Sequence, residues 1–444
     1  MSRLTADRRA AGKVVQRFLE RPGRVDHWLL DASRGLRDTE RRRARALVYA
    51  LLRNRILLEA WLAPWLKKPM HRQALGAQVA LLLGATELIL MDGVPDRAAV
   101  DQGVELARAF GAPRQSGFVN AVLRRLASRE APPEIPDRET DPLGWAHLAC
   151  SHPRWVLDRL AALYGPEGAA AHAEAANTEP PTVLAFRSAA DRDTFAPQLH
   201  GAPGRLVPAA LRLPPGAGRV DTLPGFSEGA FWVQDEGAQA AAALLDVQPG
   251  DVVLDACAAP GGKALHAAAA AGPDGAVGAV DLDARRLERL RANIERTGLD
   301  TIEPMVADLL GEPVLEEPVD RVLLDAPCSG LGVLRRHPDA RSARQPSDLK
   351  RYADRQAALL DAVAPAVRPG GRLVYVVCTF TSEETDAVID RFLAAPAGAD
   401  FTRVDAGQIL PDLPADAVVD GALRTAPHLH GADAFYAVAL DRRP

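Results

Sequence analysis

Two short runs of branched apolar residues, each closed by a cysteine, constrain the fold of this chain more than any other feature. Val322-Leu323-Leu324 has the look of a buried strand, and it stops at Asp325-Ala326-Pro327-Cys328 before Ser329-Gly330 turns the chain. Arg372-Leu373-Val374-Tyr375-Val376-Val377 repeats the pattern and stops at Cys378-Thr379. A lone free cysteine is usually a small buried hydrophobe. Two thiols at two strand ends are a different matter. In an open parallel sheet, ligands bind just beyond the carboxyl ends of the strands. Cys328, Cys378 and Asp325 therefore mark a candidate site.

The surrounding segments supply the rest of such a sheet. Val252 to Cys257 reads as a strand, followed by Ala258-Ala259-Pro260-Gly261-Gly262-Lys263 and a helix from about Ala264. Ala276 to Val280 is a second strand ending at Asp281, and a helix over 285–296 follows it. A short strand near 304–306 ends at Asp308, and a helix over 349–367 separates the two cysteine strands. Strands alternating with helices give a parallel α/β sheet. The last apolar run, Ala434 to Leu440, has no crossover helix after it and is expected to pair antiparallel.

The chain has 444 residues, too many for one ordinary core. Residues 5–130 show apolar positions at helical spacing, with Ala44 to Leu66 expected as one helix ended or bent at Pro64. Residues 131–145 form a Pro-rich, charged linker, 146–230 a small α+β domain, and 231–444 the α/β domain. Charge is divided unevenly. Residues 1–130 hold 24 Lys and Arg against 13 Asp and Glu, and the remainder holds 29 against 45. A basic helical domain on an acidic one fits a polyanion partner, or simply solvated arginine faces. Arg41, Arg42, Arg43, Arg124 and Arg125 are the candidate phosphate contacts.

Four cysteines without metal-ligand spacing exclude a disulfide framework and a zinc site. The N-terminus lacks the apolar stretch of a signal peptide, and the longest apolar run, Val79 to Met91, contains Glu87. A cytoplasmic protein with no membrane span is expected, and a monomer.

The Gly-rich loop after the first strand of the sheet decides among cofactors. It lacks the G-x-G-x-x-G of a dinucleotide fingerprint. It also fails a phosphate-binding loop twice, with Cys257 where Gly is needed and Ala264 where a hydroxyl is needed. An S-adenosylmethionine site remains. Asp281 stands where an acid would accept hydrogen bonds from ribose hydroxyls, and Asp308 where one would reach an adenine amino group.

At these residues the sequence resembles a known family. Val233-Gln234-Asp235-Glu236, Asp255 to Lys263, Asp325 to Gly330, Arg335-Arg336-His337-Pro338-Asp339 and His430 to Phe435 are similar to phrases of the RNA 5-methylcytosine methyltransferases. Val119-Asn120-Ala121-Val122-Leu123-Arg124-Arg125 resembles the last helix of NusB-like RNA-binding domains. Together they resemble the bacterial small-subunit rRNA enzymes of the RsmB (Sun/Fmu) type. The resemblance implies three parts: an all-α NusB-like domain, a small α+β domain and a Rossmann-like class I methyltransferase domain. It implies methyl transfer from S-adenosylmethionine to carbon 5 of a cytosine in 16S rRNA, through a covalent cysteine adduct. The same chemistry on tRNA or 23S rRNA, and a non-catalytic RNA-binding module, are the alternatives.

Carried over residue by residue, Cys257, Ala258, Ala259, Pro260, Gly261, Gly262, Lys263, Asp281, Asp308 and Asp325 match the family's cofactor positions. Cys378 matches the nucleophile and Cys328 the second cysteine, with Asp325 beside the base. Arg335, Arg336 and His337 are expected to meet RNA backbone at the cleft. The sequence departs from the family in having Val376-Val377-Cys378-Thr379 for Ser-Thr-Cys-Ser, Ala264 for Thr, no Trp near Ser342, and Ala434 for Gly. A free thiol titrates near ~8.5, so Cys378 needs activation. Thr381-Ser382-Glu383-Glu384 reads as a capping box that would put a helix N-terminus beside it.

Overall fold

The computed structural model describes residues 4–311, 315 and 317–444. The chain forms two compact units: Met1–Thr178 together with Leu334–Arg344, and Glu179–Val333 together with Gln345–Pro444. Of the segment expected as a small domain over 146–230, the residues up to Thr178 fall in the first unit and those from Glu179 in the second.

The first unit is helical: α1 (Ala6–Glu20), α2 (Asp26–Ala32), α3 (Asp38–Arg53), α4 (Arg55–Leu62), α5 (Leu75–Leu90), α6 (Asp96–Ala109), α7 (Ser116–Ser128), α8 (Pro142–Ala149) and α9 (Arg154–Ala175). The sequence expectation of one helix from Ala44 to Leu66 is corrected. The break falls at Asn54 (φ −122°, ψ 21°), and Pro64 lies in a short 3-10 turn after α4. α5 is apolar all round, which suits a helix enclosed by others, and Val79 to Leu88 are all buried. Gly84 of α5 and Gly103 of α6 both abut the Leu123 side chain of α7, where an added Cβ would stand 2.6 and 2.3 Å from it. The three helices approach closely because those positions carry no side chain. Glu87, also on α5, is buried and ion-paired to Arg8 at 2.7 Å.

The segment Leu334–Arg344 belongs to this unit although the sequence places it beside the cysteine loops. Arg341, in the short helix Ala340–Ala343, is buried at 2% exposure. Its guanidinium donates to Arg53 O (2.9 Å), Cys150 O (3.1 Å), Ala176 O (2.8 Å) and Asn177 Oδ1 (2.8 Å). Three of these are carbonyls at the C-terminal ends of α3, α8 and α9, where backbone oxygens lack helical partners. A cation there also meets the negative ends of the helix dipoles.

The second unit holds two sheets. The small one contains β1 (Val183–Phe186), β2 (Ala202–Pro203), β3 (Ala210–Arg212) and β4 (Phe231–Val233), in the order β2-β3-β1-β4, with α10 (Ala189–Leu199) inserted after β1. The large one follows α11 (Glu236–Ala243). It comprises β5 (Val252–Ala256), β6 (Ala276–Asp281), β7 (Ile302–Val306), β8 (Val319–Asp325), β9 (Val367–Val377), β10 (Phe401–Val404), β11 (Val418–Val419), β12 (Ala422–Arg424) and β13 (Tyr436–Arg442). Helices α12 (Gly262–Ala271), α13 (Ala284–Thr297) and α15 (Pro346–Val363) are its crossovers, α14 being Ala340–Ala343 above, with α16 (Asp386–Ala394), α17 (Ala406–Ile409) and α18 (Pro427–His430) nearer the C-terminus.

The order is β11-β12-β13-β9-β8-β5-β6-β7, with β10 on β13. β7, β6, β5, β8 and β9 run parallel, and β13 pairs antiparallel with β9 as the sequence led us to expect. The order reverses between β5 and β8, which is the switch point where such sheets open a crevice. Parallel strands covered on both faces are near-continuously apolar, and Leu373 to Val377 are all fully buried.

Candidate active site

Register alone brings the chemistry to one edge. Ala256 pairs with Leu324 and Asp325 with Val376, so β5, β8 and β9 end side by side. The loops that leave them carry Cys257 to Lys263, Asp325 to Gly330, and Cys378 to Thr381. Cys328 Sγ and Cys378 Sγ lie 3.2 Å apart, each half-buried. The hydrogen bond to Cys378 and then burial push the Cys328 thiol well up. The two sulfurs stand within hydrogen-bond reach of each other.

The first loop is built for backbone approach. Cys257 has a left-handed φ of 65°, and Gly261 has φ 107° with Leu290 only 2.4 Å from where a Cβ would be, so glycine is required there. Ala258 N–H donates to Val280 O (2.8 Å) and Ala259 N–H to Asp281 Oδ2 (3.1 Å), tying the loop to the end of β6. Asp281 is buried, and its other oxygen accepts from Asp283 N–H at 3.0 Å. Asp308 is exposed and accepts from Leu310 N–H at 3.1 Å. Lys263 opens α12 and its buried Nζ donates to Asp325 Oδ2 at 2.7 Å. Burial, with Asp325, Asp281 and Asp255 nearby, pushes the Cys257 thiol up to about 12, which makes it inert beside the other pair.

Two groups escaped sequence reasoning. Asp255, one residue before the end of β5, is wholly buried with both carboxylate oxygens unpartnered, and burial first and Asp325 second push it well above the usual carboxylate range. The expected capping box at Thr381 to Glu384 is absent. Ser382–Glu384 is a 3-10 turn with no cap bond from the Thr381 side chain, and α16 starts later, at Asp386. Glu384 turns inward instead. Its carboxylate accepts from Ser329 N–H (2.8 Å), Gln356 Nε2 (3.0 Å), Thr381 Oγ1 (3.0 Å) and Thr379 Oγ1 (3.4 Å). The only sequence signal was a carboxylate soon after the strand end, which a helix cap explains equally well.

Arg335 is corrected as a surface phosphate contact. It is buried at 4% exposure and its carbonyl accepts from Arg53 at 2.8 Å. Arg336 is half-buried, and His337 Nδ1 lies 3.3 Å from Asp26 Oδ2. Arg124 and Arg125 lie exposed on α7, the latter over the Trp65 ring at 5.4 Å. Arg41 pairs with Asp38 and Arg43 with Asp7, and Arg42 is exposed.

Against known proteins, the chain is 34% identical to the probable ribosomal RNA small subunit methyltransferase B of Bacillus subtilis, over 93% of this chain and 92% of that one. The chain belongs to that family. It is also 36% identical to the Xanthomonas campestris ribosomal RNA small subunit methyltransferase B, over 89% of this chain and 91% of that one. Residues 242–441 match the 16S rRNA methyltransferase RsmB/F family and residues 5–128 the NusB family. Membership makes the chain an S-adenosylmethionine-dependent methyltransferase. The crystal structure of PH0851, 23% identical, covers 99% of this chain and 100% of that one with a TM-score of 0.79, and shows the same fold. A methyltransferase homologue from Pyrococcus horikoshii, 25% identical, covers 67% of this chain and 97% of that one at a TM-score of 0.57. Among the described residues, no helix is long and apolar enough to cross a membrane.

Proposed function

We propose that this methyltransferase modifies carbon 5 of a cytosine in small-subunit (16S) ribosomal RNA, with Cys378 as a covalent nucleophile. The observation that carries this reading is the thiol pair, 3.2 Å apart at the ends of adjacent parallel strands. Carbon 5 of cytosine is a weak nucleophile because its electrons belong to an aromatic ring. Addition of the Cys378 thiolate to carbon 6 breaks that conjugation and makes carbon 5 enamine-like, dividing one hard step into easier ones. Asp325 hydrogen-bonds the base near nitrogen 3, and Lys263, 2.7 Å from Asp325, keeps that carboxyl in place.

When bound, S-adenosylmethionine supplies an electrophilic methyl group. Cys257 to Lys263, Asp281, Asp308 and Asp325 would hold it. The residues fit such a group: Asp255 brings two unpartnered buried oxygens to the strand end, and Leu282, 60% exposed, offers apolar surface directly after Asp281. After methyl transfer the carbon 5 proton must leave before Cys378 can detach. Cys328 assists that step. Its proton is held chiefly by the hydrogen bond to Cys378, and that bond is lost once the Cys378 sulfur is joined to the ring, so Cys328 can pass its proton to solvent and take the carbon 5 proton as a thiolate.

The base must leave its stack to reach these thiols. Arg336, His337, Arg124 and Arg125 are the side chains we assign to RNA backbone. The test is methyl transfer from radiolabelled S-adenosylmethionine to unmodified small-subunit rRNA, tRNA and large-subunit rRNA, followed by nucleoside analysis. Label in 5-methylcytosine of the small-subunit RNA alone is the expected result. Label in tRNA or large-subunit rRNA moves the substrate and keeps the chemistry. No transfer to any RNA favours a binding module.

A further inference from the structure

The mechanism above uses two thiols but leaves unexplained what holds their loops together. Neither loop has helical or sheet hydrogen bonding across the gap beyond Ala326 N–H to Val376 O (3.0 Å) and Gly332 N–H to Cys378 O (3.0 Å). Between them sits the Glu384 carboxylate, fully buried. One oxygen takes Ser329 N–H, from the residue after Cys328, and Gln356 Nε2, which also donates to Pro327 O at 3.1 Å. The other takes the hydroxyls of Thr381 and of Thr379, the residue after Cys378. Ser329 Oγ and Thr379 Oγ1 are themselves 3.0 Å apart, and Tyr375 OH donates to Glu384 O at 2.8 Å. No cation pairs with Glu384 among the described residues; its charge is met by N–H and O–H donors alone, which requires all of them to be in place.

We propose that Glu384 is a positioning residue for the covalent reaction: its carboxylate clamps the loops after Cys328 and Cys378 so that the two sulfurs face each other. The inference rests on the assignment of Cys378 as nucleophile. Its physical content is separate, because the clamp acts on thiol geometry whether or not RNA is present. The negative charge of Glu384 is one of the causes that keep the proton on Cys328, after the bond to Cys378 and burial.

The test compares the full-length protein with Glu384→Gln and Thr381→Val. Gln keeps the size of the side chain but turns an NH2 toward a donor, and Val removes a single donor. The first readout is the rate of iodoacetamide labelling at Cys328 against pH, followed by peptide mass spectrometry without RNA. The second is kcat and KM for methyl transfer, corrected for the folded fraction by circular dichroism. For Glu384→Gln the midpoint of Cys328 labelling should move to lower pH. kcat should fall by about 10²-fold, the scale of loss from misplacing a reacting group by an ångström, with KM for S-adenosylmethionine unchanged. If that variant does not fold, Thr381→Val should show the same changes with a smaller loss, roughly five-fold, as for one hydrogen bond. A labelling profile that does not move, or a kcat per folded molecule within two-fold of the parent, overturns the proposal. Failure of the nucleophile assignment would appear elsewhere, as methylation that survives Cys378→Ala.

Discussion

Arg341 in the helical unit and Glu384 in the α/β unit are both buried charges held by dipoles rather than by a counter-ion. Arg341 meets four oxygens, three of them carbonyls at helix ends. Glu384 meets one backbone N–H, one amide and two hydroxyls. The electrostatic solution is the same with the sign reversed. What differs is the company. The groups around Arg341 are backbone ends that need a donor, so it serves the shape of the helical unit. Three of the groups around Glu384, on Ser329, Thr379 and Thr381, belong to the loops that carry the thiols, so we assign it to reactivity. A buried charge is therefore no guide to function until the elements it joins are known.

The largest effect that would sharpen this contrast is expected at Cys378. Cys378→Ala should lose turnover altogether, while isothermal titration still shows S-adenosylmethionine binding and the melting temperature stays close to the parent. Persistent methylation would remove Cys378 from the nucleophile role and leave the thiol region without its distinguishing chemistry. Cys328→Ala should behave differently from its neighbour. It should form the adduct but fail to release it, giving an RNA-protein species that survives a denaturing gel. Without such a species, Cys328 has no part in release.

Arg341→Ala should act on stability. It strands buried carbonyls at three helix ends, and the loss of such a charged group is expected to cost about 3–5 kcal/mol, measured by urea unfolding of the full chain. A loss below about 1 kcal/mol would show that water satisfies those oxygens and that the guanidinium is not a staple.

The smallest effect concerns pH. His152 is fully buried beside Arg341, and Nδ1 donates to Cys150 O at 2.8 Å, the same carbonyl that Arg341 uses. Burial first, and Arg341 second, push its pKa well below the usual value. The folded state therefore binds fewer protons than the unfolded state over this range. Stability should be fully present above about pH 6.5, the ordinary histidine value, and decline as pH falls below it. His266 and His428, both pushed down to about 4 by burial, add to the same acid-side loss in the other unit. The check is urea unfolding from pH 8 to 4 with His152→Gln, whose acid-side slope should be shallower. An identical slope would exclude His152 as a contributor.

Much of the α/β unit could be read from the sequence because its signals are local. A strand that ends in Asp325-Ala326-Pro327-Cys328 delivers those groups to a strand end in any parallel sheet. The same holds for Cys378, Asp281 and the Gly261 turn. Glu384 was different. Thr381-Ser382-Glu383-Glu384 has the letters of a capping box, and its carboxylate instead reaches Ser329, 55 positions earlier. Which of two N–H groups a glutamate finds depends on where a distant loop has been brought. Arg335 failed for a related reason. It stands in a basic phrase that suits RNA, yet the segment Leu334–Arg344 packs with the helical unit and buries it.

The sequence by itself determined the parallel sheet, the acids and thiols at its strand ends, and the helical first domain, because periodicity and strand-end residues act over a few positions. Only the tertiary structure decided how close the two sulfurs stand, which carboxylate bonds to both loops, and to which unit residues 334–344 belong. Those outcomes rest on distances between groups tens to hundreds of positions apart. Chain folding sets such distances, and local pattern does not.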